Sequence, residues 1–270
     1  MKLVDVHCHL NHKMFSGKVE EVIARAKEKG VARIVVSGVN PLANMEVLEL
    51  VRKFPDVLRA SLGIYPIDAI GLAEDDVTGL PNHRGKINLD VQFKFIKENI
   101  KDVVSIGEIG MDFHWATKDE TFDEQASNFK KIINFAKEVK LPIVIHSRKA
   151  EKECLDILEE EISSGEISVI NHCFSGKKGL VKRAAALGHY FSVPPNVVKS
   201  SGFQMLVKIV PIEQLLTETD APWLSPIKEE HNEPAYVDMT IKEIAKIKEM
   251  NYNDVADAIW KNYVKVFGEK

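Results

Sequence analysis

Disulfide pairs, membrane spans and a cationic surface are all missing from this sequence. Its three cysteines, Cys8, Cys154 and Cys173, stand far apart with no Cys-x-x-Cys spacing, so neither a disulfide framework nor a thiolate zinc site is expected, and Cys173 reads as a buried bystander. No apolar run nears the ~20 residues that cross a bilayer. An apolar strand pattern begins within a few residues of Met1, which leaves no room for a signal peptide; no membrane partner and a cytoplasmic location are expected. A net charge of −4 excludes a protein that coats nucleic acid through a broadly basic face. Any polyanion must be drawn in by a local field, and bound cations can supply one. Neither a Gly-x-Gly-x-x-Gly fingerprint nor a Walker A loop occurs, and there is no repeat, low-complexity tract or linker.

What is present is the composition of a globular chain, 45% hydrophobic and 28% charged, at a length of 270 residues that one α/β barrel fills. Buried-strand patterns fall at 4–10, 31–39, 57–64, 103–109, 141–146, 167–172, 189–193 and 214–218. Helical patterns fall between most of them, at 18–30, 41–54, 88–99, 121–140, 147–161 and on to about 187, with a polar loop running to about 86. Two further helices, at 237–249 and 253–267, close the chain. Eight strands alternating with helices predict a single (β/α)8 TIM barrel domain over 1–270 rather than an open doubly wound sheet.

The chemistry concentrates at the strand ends. In Val4-Asp5-Val6-His7-Cys8-His9-Leu10, side chains two apart share a face, so His7 and His9 reach toward one metal ion while Cys8 points away. Asp5 shares that face but sits deeper, where a structural hydrogen-bonding role is expected. Glu108 ends strand four, His146 strand five, His172 strand six, and Asp220 follows strand eight. A barrel gathers all of these at one mouth, where active sites are built. Six donors exceed the needs of one ion and suit two divalent ions sharing a carboxylate, with Glu108 as the bridge. His7, His9 and Asp220 are expected mainly on one ion, and His146 and His172 on the other. Two divalent ions less two carboxylates leave about +2, a local attraction for phosphate. Mixed imidazole and carboxylate sites leave Mg, Mn and Zn all open.

These residues lie in motifs that resemble the TatD-type metal-dependent deoxyribonucleases. The matching stretches are Asp5-Val6-His7-Cys8-His9-Leu10, Gly107-Glu108-Ile109-Gly110-Met111-Asp112, Leu141-Pro142-Ile143-Val144-Ile145-His146-Ser147-Arg148, His172-Cys173-Phe174-Ser175-Gly176, Glu218-Thr219-Asp220-Ala221-Pro222 and Asn232-Glu233-Pro234, in the family's order across almost the whole chain. The resemblance implies a metal-dependent hydrolase barrel, the same ligand set, and hydrolysis of DNA phosphodiester bonds by a metal-activated water, with single-stranded DNA or frayed ends as substrate. Two positions depart from the family pattern: Tyr65 stands where Gly-x-His-Pro has histidine, and His231 where arginine commonly precedes Asn-Glu-Pro. Both are substrate-contact positions, which keeps a small phosphoester, lactone or cyclic amide open as the substrate. A noncatalytic binding barrel with a structural metal is the reading from a different class.

Around the six donors stand residues with two readings each. Arg148 clamps a phosphate or pairs with an acid at a helix start. Ser175 leads into a helix whose free N–H groups take an anion, or it caps that helix. Glu218, two before Asp220, orients a ligand histidine rather than binding metal itself. Tyr65 stacks a base, caps the pocket or simply packs. Asp220 is expected to orient the attacking water and accept its proton, with Glu108 as its catalytic partner between the ions. His12, His83, His114 and His189 match no ligand position and read as solvated or packing residues.

Overall fold

A computed structural model describes residues 1–73 and 78–269. Residues 74–77 of the expected polar loop lie outside the described residues. The eight strands are β1 (Leu3–Cys8), β2 (Val31–Ser37), β3 (Leu58–Leu62), β4 (Val103–Gly110), β5 (Ile143–His146), β6 (Val169–Asn171), β7 (Tyr190–Val193) and β8 (Leu215–Thr217). They form one sheet in sequential order, and every neighbouring pair is parallel. Every residue of β1 and β4 is buried, as expected of parallel strands covered on both faces.

The seam between β8 and β1 is closed by side chains as well as backbone. Thr217 Oγ1 donates to the Val4 carbonyl at 2.6 Å, the amides of Thr219 and Asp220 donate to the His7 carbonyl at 3.3 and 2.8 Å, and the His9 amide donates to the Ala221 carbonyl at 2.9 Å. Asp5, fully buried, accepts from both the amide and the hydroxyl of Thr219 and from the His7 amide. Burial pushes its carboxyl well above the usual range against those hydrogen bonds, and the structural role expected of it holds.

Connecting helices cover the barrel: α1 (Val19–Glu28), α2 (Pro41–Lys53), the single turn α3 (Pro66–Ala69), α4 (Leu89–Glu98), α5 (Lys118–Val139), α6 (Glu151–Glu161), α7 (Lys178–Ala186), α8 (Ser201–Ile209), α9 (Val237–Lys248) and α10 (Tyr252–Phe267). Asn40 caps α2 ahead of Pro41, and Asn88 caps α4, each through its side-chain oxygen. None of the described helices is long and apolar enough to cross a membrane. The three thiols are free, and Cys8 turns its sulfur to the Val35 carbonyl, away from the barrel interior that holds His7 and His9.

Three local expectations are corrected. Helix α8, between β7 and β8, is not among the expected helices; Ser200 caps it, and Phe203, Leu206 and Val207 give it a buried stripe. Helix α6 begins at Glu151 and not at Ser147, since Lys149 takes a left-handed conformation (φ 59°) and residues 147–150 form a turn. Helix α7 begins at Lys178, so Ser175 does not cap it; its hydroxyl donates to Glu151 at 2.6 Å. Gly110 matches a demand for backbone freedom: its φ of 138° suits glycine, and a Cβ there would lie 2.0 Å from the His146 carbonyl oxygen. That close approach sets the end of β5 directly against β4.

His189, at the entrance to β7, is buried, and its Nδ1 lies 3.3 Å from the Asn171 side-chain amide. Burial, aided by the Arg183 charge, pushes its pKa down to about 4. A lowered histidine pKa means the unfolded chain binds the proton more tightly, so stability falls as pH drops from about 6.5 to about 4 and levels off below. The full contribution is up to about 3 kcal/mol. In chelator-treated protein, His189→Gln is expected to flatten the decline of the urea midpoint across that window; an unchanged pH profile would contradict the account.

Candidate metal centre

The ends of five strands bring the predicted donors together. His7 lies on β1 with His9 just beyond it, Glu108 lies near the end of β4, His146 ends β5, His172 follows β6 and Asp220 follows β8. Asp220 takes a left-handed conformation (φ 56°), which aspartate tolerates better than most residues. This turns its carboxylate toward the histidines, with Oδ1 3.6 Å from His7 Nε2 and 3.5 Å from His9 Nε2. The two Nε2 atoms are 3.2 Å apart. Glu108 places Oε2 3.5 Å from His7 Nε2 and 3.7 Å from His9 Nε2, and Oε1 2.7 Å from His146 Nδ1 and 3.8 Å from His172 Nε2. Its two oxygens thus face different pairs of imidazoles.

Each imidazole has its other nitrogen held. His9 Nδ1 lies 3.1 Å from the Ser37 carbonyl, which can only accept, so this nitrogen carries the proton and Nε2 is a free lone pair in the neutral ring. His7 Nδ1 meets the Ser37 hydroxyl at 3.1 Å. His146 Nε2 meets Asp112 Oδ2 at 2.8 Å, and His172 Nδ1 meets Glu218 Oε2 at 2.7 Å. Glu218 also accepts from the Cys173 amide and the Ser192 hydroxyl, so both of its oxygens are hydrogen-bonded.

The charges in the cluster are strongly coupled. Burial opposes charge on Glu108, yet the hydrogen bonds of His146 and His7 hold its carboxyl well below the usual range. Burial likewise opposes Glu218, but His172 and Ser192 hold it at about 2. On His172 burial works downward and is overcome by Glu218, Asp220 and Glu108, which lift it to about 10; His146 is also raised, by Asp112 and Glu108 against its burial. The carboxylates therefore present an excess of negative charge at the mouth. Donor atoms of His7, His9 and Asp220 lie within 4.8 Å of one another, as do those of His7, Glu108 and His172, so either triad fits a divalent ion; His7 belongs to both, and His146 to neither.

Other expected residues stand further out. Tyr65 donates its hydroxyl to Asp112 Oδ2 at 2.7 Å and sits edge-on to His146 with ring centroids 4.8 Å apart, so it packs beside the end of β5. Arg148 is exposed on the loop after β5, Ser175 is exposed and tied to Glu151, and His231 is exposed on the segment after β8, near enough to His12 for its charge to bear on that ring. His12 is buried and structural: Nδ1 accepts from the Met14 amide, and Nε2 meets the Thr78 carbonyl at 2.7 Å. Sequence reasoning gave no role to Asp112, Ser37 or Trp223. Asp112 was visible as the last residue of the Gly107–Asp112 motif and Ser37 as a polar end to an apolar strand. Trp223, edge-on to His9 at 5.2 Å and to His12 at 5.4 Å, had no signal beyond being a tryptophan after a strand.

An eight-stranded parallel barrel with this cluster at its C-terminal mouth defines a class, the (β/α)8 barrels of metal-dependent hydrolase type. The chain belongs to the family of TatD-related DNases, whose family model matches residues 4–268. It is 38% identical to an uncharacterized metal-dependent hydrolase of Methanocaldococcus jannaschii, over 99% of this chain and 97% of that one. It is 31% identical to the human deoxyribonuclease TATDN3, over 98% of this chain and 94% of the relative. Among solved structures, the TatD homolog YJJV of Escherichia coli K12 shares the fold with a TM-score of 0.85 at 24% identity, over 99% of this chain and 98% of that one.

Because Asp112 holds the outer nitrogen of His146, Asp112→Asn is expected to weaken metal affinity by about 10- to 100-fold with the fold intact. Isothermal titration of chelator-stripped protein with Mn or Zn reads this directly. Wild-type affinity in the variant would remove the orienting role.

Proposed function

We propose that the chain is a divalent-metal-dependent deoxyribonuclease that hydrolyses DNA phosphodiester bonds. The observation that carries this reading is the convergence of four imidazoles on Glu108 and Asp220, each with its outer nitrogen held by a protein oxygen. His7, His9 and Asp220 would hold one ion, His146 and His172 the other, and Glu108 would bridge them. His146 would bind through Nδ1, the nitrogen facing Glu108. Bound there, two divalent ions would lower the pKa of a coordinated water and neutralise charge on the phosphate and its leaving oxygen.

The chain's own groups do the rest. Asp220 has a side chain 15% exposed at the mouth, so it can meet both solvent and substrate. It orients the attacking water and accepts its proton as the oxygen bonds to phosphorus. The P–O ester bond then breaks, and the departing alkoxide takes the proton that Asp220 accepted. Glu218 and Asp112 keep the rings of His172 and His146 from turning during the reaction. Tyr65, at the histidine position of the family pattern, holds Asp112 from the other side and leaves the pocket wall neutral there. Arg148, exposed beside His146 in sequence, takes a phosphate of the same strand.

The deoxyribonuclease name of the human relative supports DNA as the substrate, and the negative overall charge fits a protein whose affinity for phosphate comes from bound cations rather than a basic surface. Asp220→Asn is expected to reduce turnover of a single-stranded DNA substrate by about 100-fold or more. The assay is meaningful where elemental analysis finds both ions retained. Near-normal turnover in such a preparation would remove the proposed role of Asp220.

A further inference from the structure

The rim of the barrel carries an exposed indole and an exposed guanidinium side by side, on two adjacent loops that the catalytic cluster itself holds in place. Trp115, on the loop after β4, is 57% exposed, and the Arg148 Cζ, on the loop after β5, lies 5.7 Å from the centre of its ring. Leaving so much of a tryptophan in water gives the fold little, because the apolar area it could bury stays hydrated. The loops are nonetheless fixed. The Met111 amide donates to the His146 carbonyl at 3.1 Å, and the Phe113 amide to the Arg148 carbonyl at 3.0 Å. Asp112 Oδ1 accepts from the amides of His114 and Trp115 at 2.6 and 2.9 Å, while its Oδ2 holds His146. One carboxylate therefore registers both a candidate metal ligand and the backbone of Trp115. His114 stands edge-on to the indole, with centroids 4.7 Å apart, and forms a second wall.

We propose that Trp115 and Arg148 form a nucleotide subsite beside the scissile bond, in which a nucleobase stacks on the indole and the adjoining phosphodiester pairs with the guanidinium. The inference rests on the deoxyribonuclease reading and names what that site grips besides phosphate. An indole offers its π-face to any base, so the subsite selects single-stranded or frayed DNA over paired DNA without selecting a sequence. The guanidinium lies against the same ring, so base and phosphate of one nucleotide meet neighbouring side chains.

The test compares a short thymidine oligonucleotide with the same oligonucleotide carrying abasic residues at its terminal positions, each cleaved by metal-loaded protein. Trp115→Ala is expected to raise KM for the oligonucleotide about tenfold, the loss of one stacked base, and to leave KM for the abasic substrate unchanged, with kcat little altered in both. Trp115→Phe should restore most of the loss, and Arg148→Ala should raise KM on both substrates. Equal effects of Trp115→Ala on the two substrates, or none, would overturn the subsite while leaving the nuclease reading intact. A turnover-independent arm separates the opposite failure. In a Trp223→Phe background, which removes the indole edge-on to His9, thymidine 5′-monophosphate should quench tryptophan fluorescence in the otherwise wild-type protein, and the quench should vanish when Trp115→Phe is added. A quench that depends on Trp115 without any DNA hydrolysis would retain the subsite and reject the nuclease reading; a quench that survives Trp115→Phe in that background, or is missing before Trp115→Phe is added, would reject the subsite.

Discussion

Burying imidazoles against carboxylates at the end of a barrel is the constraint on which the rest of the structure depends. Taken out of water, either set of groups is costly alone, and the carboxylates outdo the histidines, which is why His146 and His172 are held protonation-prone. The chain answers by fixing every ring from outside. Ser37 holds two of them, Asp112 and Glu218 one each, and Asp112 and Glu218 are in turn held by Tyr65, Gln125, Ser192 and backbone amides. In Gln125 this is a reciprocal clamp, its amide donating to the Asp112 carbonyl and its oxygen accepting from the Asp112 amide. The site that results is buried, rich in carboxylates and tied to its surroundings at every ring.

The barrel supplies the directions from which these groups arrive. Parallel strands buried on both faces end at one mouth, so residues far apart in sequence meet without long loops. The β8 to β1 seam does more than close the sheet. By tying Thr219, Asp220 and Ala221 to His7, His9 and Asp5 it fixes the strand-eight aspartate against the strand-one histidines. Gly110 does the corresponding work between β4 and β5, letting His146 approach Glu108.

Much of this was legible in the sequence, for physical reasons that differ by residue. His7, His9, Glu108, His146 and His172 stood out because each lies at the end of a strand pattern, and Asp220 because it follows one closely; a barrel leaves one place for such ends to go. Glu218 was legible through the two-residue strand period. The partners that hold the outer nitrogens were less so: Ser37 acts partly through its carbonyl, which no side-chain pattern reveals, and Asp112 lies past the strand in a turn whose geometry the sequence does not display. Helix α8 was hidden because its cap and first turn, Ser200-Ser201-Gly202, have turn composition, and α6 and α7 begin later than their polar leaders suggest because Lys149 lies in a turn and residues 175–177 are irregular chain ahead of Lys178. Rim residues such as Trp115 carry no periodic signature at all; only their exposure beside a fixed loop singles them out.

The central claim is that these six side chains hold two divalent ions with Glu108 between them. Anomalous diffraction from crystals soaked in Mn or Zn tests it most directly. Two peaks are expected, one beside His7, His9 and Asp220 and one beside His146 and His172, each in contact with a different oxygen of Glu108. A single peak in fully loaded crystals, or peaks away from Glu108, would contradict the account.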